Sequence, residues 1–96
     1  MNVNEKSARD RRYDLAVIGW QKRAARELTG AVLINQMILE ARSAGDRRGR
    51  VTELREQRRL CEVYYLRAVE VLESNGEEVP ADLTRDADYY FGEVRA

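Results

Sequence analysis

From Ser7 onward, apolar or small residues recur at Tyr13, Val17, Trp20, Ala24, Leu28, Ala31, Asn35 and Ile38, in steps of three and four. That period puts them on one side of an α-helix and predicts a first helix over about 5–43. Its start has two equal candidates: Ser7, with Asp10 completing a weak capping box, or Asn4. Its end falls at Ser43-Ala44-Gly45, where Gly45 can take the left-handed conformation that closes a helix. A second seam runs through Leu54, Arg58, Cys61, Tyr65, Ala68 and Leu72, broadened by Leu60, Tyr64 and Val71. Thr52 is its expected N-cap, Glu53 and Glu56 suit the positive end of the helix dipole, and Ser74-Asn75-Gly76 stop it, giving a second helix over about 53–75. Pro80 then stands as the first residue of a third helix over about 80–94, with Leu83, Ala87, Tyr90, Phe91 and Val94 on its apolar face. Residues 44–51 are left as a basic loop. The fold class this predicts is all-α: a long antiparallel helical hairpin plus a third, C-terminal amphipathic helix, in one domain.

Lengths set a problem for that hairpin. At the α-helical rise, the first helix spans roughly 57 Å and the second roughly 35 Å, so about 20 Å of the first has no partner in the hairpin. Either the third helix covers the overhang, or a second copy of the chain does, or the first helix breaks. Gly19 and Gly30 are the candidate breaks. They also fall with Ala8 and Ala41 on one eleven-residue stripe, where small side chains let another helix approach closely.

Apolar residues are in excess of what one hairpin hides. Ala31-Val32-Leu33-Ile34 and Met37-Ile38-Leu39 are hydrophobic on nearly all sides of their helix, and an all-round apolar helix needs burial all round. The second helix adds Val63, Leu66 and Val69 outside its seam. Self-association is the expected remedy, with a homo-oligomer, a dimer favoured, completing the fold. The pairs Tyr64-Tyr65 and Tyr89-Tyr90 each place one ring inward and one at a rim, where tyrosine anchors interfaces. The expected partner interface is therefore Val32, Leu33, Leu39, Tyr64, Tyr65, Tyr89 and Tyr90.

Composition narrows the chemistry. Histidine is absent and Cys61 is the single cysteine, which removes Ser–His–Asp and Cys–His triads, zinc fingers and any disulfide framework within the chain. No metal and no cofactor are expected. Cys61 on the apolar seam reads as a small core residue. Asp82, Asp86 and Asp88 lack the glycine and terminal glutamate that a calcium loop requires. The N-terminal stretch has no apolar secretory region and no segment is long enough to span a membrane, so the expected location is cytoplasmic.

The net charge of zero conceals a split. Residues 1–69 carry fifteen basic and nine acidic side chains, whereas residues 70–96 carry two basic and eight acidic ones. Either the acidic part folds back over a basic surface or docks on a neighbouring copy, or a basic face is kept for phosphate. Arg42, Arg47, Arg48, Arg50, Arg55 and Arg59 crowd the first turn and the start of the second helix, and form the candidate phosphate-binding set. The loop lacks the Lys-Ser/Thr ending of a phosphate loop and follows no strand. Arg9, Arg11, Arg12, Lys22, Arg23 and Arg26 lie near Tyr13 and Trp20, a mixture that stacks bases or merely flanks core rings. Arg58, on the inward seam, needs a carboxylate such as Glu27, Glu40 or Glu62. The expected function is a non-enzymatic helical interaction module, acting as subunit, adaptor or inhibitor by self-association and by covering the surface of another protein. The alternative is a binder of nucleic acid or a nucleotide through the Arg-rich 42–59 region.

Overall fold

The computed structural model describes residues 8–46 and 48–92, with side chains from Arg11 onward. Three helices follow in order: α1 (Ala8–Ser43), α2 (Arg50–Ser74) and α3 (Ala81–Phe91), and no strand occurs among the described residues. The candidate caps Asn4 and Ser7, and Val94 at the far end, lie outside them. No helix is long and apolar enough to cross a membrane among the described residues.

Both long helices stop at glycine, as expected. Gly45 sits at φ 90, while Gly45 N–H donates to Arg42 O at 3.1 Å and Asp46 N–H to Ala41 O at 2.9 Å. Gly76, at φ 72, repeats the arrangement: its N–H donates to Glu73 O at 3.0 Å and Glu77 N–H donates to Leu72 O at 2.9 Å. These paired bonds satisfy carbonyls that a helix end leaves open. Helix starts differ more from expectation. α2 begins at Arg50, so Thr52 stands inside its first turn and Gly49, in the left-handed region, is the N-cap. Pro80 caps α3 from one position before it, and its carbonyl accepts from Leu83 N–H at 3.0 Å.

α1 runs without a break through Gly19 and Gly30. It packs antiparallel to α2, with Arg58 level with Asn35, and the same offset carries Ser74 to the level of Gly19. α3 does not cover the overhang. It turns back along the hairpin parallel to α1, so that Leu83 O meets the Tyr65 hydroxyl at 3.1 Å and Tyr90 O meets Asn35 Nδ2 at 2.9 Å. The overhang meets the end of α2 and the α2–α3 turn, where Tyr13 OH donates to Glu77 Oε1 at 2.9 Å, and Leu15 and Ile18 stay exposed.

Two apolar clusters make the core. Ala24, Leu28, Tyr65, Ala68 and Ala87 form one, with Trp20, Val69, Leu83, Tyr90 and Phe91 packed against it. Ile34, Ile38, Val51 and Leu54 form the other, with Ala41 and Cys61 beside it. Between them, Arg58, 7% exposed, donates through Nη1 to Asn35 Oδ1 at 3.0 Å. A neutral amide from the seam supplies this acceptor, beside the carboxylate that the sequence leads one to expect.

Candidate functional site

A two-helix hairpin has a groove along each side of its seam. α3 fills one. On the other, no helix lies among the described residues. Its floor is where Gly30 and Cys61 meet: a Cβ on Gly30 would stand 3.4 Å from Cys61 Sγ. Helical spacing sets the α1 wall, since Arg23, Gly30 and Met37 are seven apart, with Arg26 and Leu33 one position further round. Leu60, Tyr64, Arg67 and Val71 follow one another at three- and four-residue steps on α2. Arg23 of α1 reaches the Tyr64 ring of α2, its guanidinium 5.2 Å from the ring centroid. Leu33 is 55% exposed, Leu60 53% and Tyr64 45%, and Met37 is exposed as well. Further along, Ala16, Gly19, Trp20 and Arg23 line an open hollow of ≈ 250 Å³.

Partial burial pushes the Cys61 thiol above its usual range, and a hydrogen bond with the Glu27 carboxylate pushes it the same way. A thiol held protonated is a poor nucleophile. Among the described residues no group of His, Cys, Asp and Glu clusters to hold a metal.

The arginine-rich end has a different geometry. A shallow depression of ≈ 330 Å³ is lined by Ala41, Ala44, Asp46, Arg48 and Arg50. Asp46 Oδ1 accepts the Val51 N–H at 2.9 Å, so a carboxylate of the chain already occupies the first turn of α2 where a bound anion would sit. Arg50 is paired with Glu53 at 3.3 Å, and neither Arg42 nor Arg55 is without a partner. Arg48 and Arg59 are exposed, while Arg47 lies outside the described residues. Three of the candidate phosphate set, Arg42, Arg50 and Arg55, thus have partners within the chain.

The expected interface residues also divide. Leu33 and Tyr64 flank the open groove, and Val32 and Leu39 are half-buried. Tyr65 is a correction: at 3% exposure it belongs to the core, with its ring 5.3 Å from that of Phe91, because α3 covers it. Tyr90 is half-buried and packs on the core cluster, whereas Tyr89 lies on the outer face of α3, 78% exposed. Met37, Leu60 and Arg23 join this face beyond the expected interface residues. The signal that finds them is the seven-residue step on the flank of each seam, not the seam.

No family model, no curated protein and no solved structure matches this chain.

Proposed function

We propose that this chain is a non-enzymatic helical interaction module, which works by laying exposed apolar helix surface against another protein surface. A homodimer, and occupation of another protein, are the two forms this takes. The observation that carries the reading is the exposure of Leu33, Met37, Leu60 and Tyr64, which helical spacing sets on the flanks of α1 and α2 beside the Gly30–Cys61 contact. Apolar side chains scattered singly need no explanation, but a contiguous set rimmed by charge marks a contact site. No general acid–base pair accompanies them among the described residues, and partial burial, followed by the Glu27 carboxylate, raises the Cys61 thiol above its usual range.

The alternative, an anionic ligand at the Arg-rich end, draws on Arg48 and Arg59, which are exposed and have no ion pair among the described residues. The Asp46 carboxylate at the opening of α2 weighs against it.

Sedimentation equilibrium over a range of concentrations tests the main reading, on wild type and on a Leu33→Glu, Leu60→Glu variant. The wild type is expected to self-associate or to form a one-to-one complex with a partner helix, and the variant to do neither at unchanged helicity. A wild-type chain that stays monomeric and sequesters no helix on this face would sink the proposal.

A further inference from the structure

The open groove carries charge as well as apolar surface. Arg23 lies at its side over Tyr64, helical spacing sets Arg26 and Arg67 on its flanks at the end away from the exposed Glu40, and none of the three arginines has an ion-pair partner among the described residues. The one carboxylate of α1 beside its floor, Glu27, is turned to the Cys61 thiol. Arg23 lies over the Tyr64 ring, which leaves the N–H edge of its guanidinium open to a carboxylate.

We propose that this groove is the docking site for an acidic amphipathic helix of a partner protein, whose apolar face lies on Leu33, Met37, Leu60 and Tyr64 while its carboxylates meet the arginines. This rests on the reading of the chain as an interaction module and names the partner that reading leaves open.

The molecule itself contains the precedent. α3 is an acidic amphipathic helix, with Asp82, Asp86 and Asp88 against Arg85, and the hairpin takes it into the first groove through Leu83, Ala87, Tyr90 and Phe91. A like helix in the second groove would give a four-helix bundle around the same seam.

A second copy is a poorer occupant. Groove laid on groove with α1 running the same way in both copies opposes Arg23, Arg26 and Arg67 of the two, and like charges at an interface are costly; only the reversed pairing, which turns those arginines towards the exposed Glu40 end, escapes that cost. The acidic residues of α3 lie on the other side of the hairpin, and Tyr89 is the lone large apolar side chain among its exposed residues. α3 laid on the groove of a neighbour would be a head-to-tail contact, which builds a ring or a filament and not a two-fold dimer.

Trp20 is the single tryptophan, and it lines the groove hollow, so its emission reports occupancy. The probes are two synthetic peptides of about three heptads, with leucine at the core positions and either glutamate or lysine elsewhere. The glutamate peptide is expected to shift Trp20 emission and bind one to one, with affinity falling as salt is added. Arg23→Glu with Arg26→Glu should weaken that binding by about tenfold or more, while circular dichroism stays unchanged. Three results overturn the proposal. Equal binding of the lysine peptide, or a concentration-dependent dimer that shields Trp20, removes the acidic partner but leaves the interaction module standing. A monomer that takes up neither peptide removes both.

Discussion

Arg58 of α2 donates to the Asn35 side-chain oxygen of α1 at 3.0 Å, and the same amide donates through Nδ2 to Tyr90 O of α3 at 2.9 Å. One side chain thus ties three helices at the boundary between two apolar clusters. Replacing Asn35 by Leu removes an acceptor from a nearly buried guanidinium and should cost about 3 kcal/mol in urea unfolding. Asn35→Asp separates the two bonds, because a carboxylate accepts from Arg58 but has no N–H for Tyr90 O. Its expected effect is loss of hydrogen-exchange protection in α3, with α1 and α2 retaining theirs.

The Asp46 carboxylate caps α2 from the loop, through Val51 N–H at 2.9 Å. Asp46→Ala should therefore destabilise by about 1 kcal/mol, and more if the φ of 46° at this position strains alanine. Asn keeps an acceptor oxygen and tolerates that backbone, so Asp46→Asn should lie close to wild type. If it is instead as damaging as alanine, the capping account of Asp46 is wrong.

Alkaline pH should loosen the fold. Tyr13 is raised chiefly by its hydrogen bond to Glu77, Cys61 by burial and then by Glu27, and Tyr65 by burial and then by Asp88 and Glu73. Each group holds its proton to higher pH when folded than when unfolded, so the folded state binds more protons in that interval and stability falls as pH rises. The contribution is intact below the unfolded values and declines from about pH 8.5 for the thiol and about pH 10 for the phenols. Urea midpoints at about pH 7.5 and about pH 10.5 measure it. Tyr65→Phe should flatten the slope, since its hydroxyl otherwise donates to Leu83 O at 3.1 Å.

Gly19 and Gly30 stand in one helix with different surroundings. A Cβ at Gly19 meets nothing within 4 Å, whereas one at Gly30 meets Cys61 Sγ at 3.4 Å. Gly19→Ala should stabilise by about 1 kcal/mol, a rise of roughly 4–8 °C in Tm for a domain of this size. Gly30→Ala should gain less, because the sulfur must give way. Equal shifts in thermal unfolding would show that Gly30 is not held to its size by Cys61.

Much of the architecture was legible in the residues. The three- and four-residue steps located α1 and α2 and their inward seams, and Gly45 and Gly76 marked their ends because few other residues take a left-handed backbone cheaply. The start of α2 was misplaced by a local rule: Thr52 has the right side chain for a cap, but Asp46 reaches Val51 first from within the loop. The core role of Tyr65 was half legible, since its place on the seam agreed while its place among the interface residues did not.

What the chain determined by itself is the set of helices and the face each one buries, because periodicity and helix punctuation are local properties. Which groove of the hairpin α3 enters was decided only by tertiary packing. Both grooves offer apolar flanks to an acidic helix, and the choice is made by Asn35 reaching Tyr90 O, Tyr65 reaching Leu83 O and the small Ala87 fitting against Leu28 and Ala68. These are long-range contacts between residues whose spacing along the chain carries no period, and they leave Leu33, Leu60 and Tyr64 on the open side.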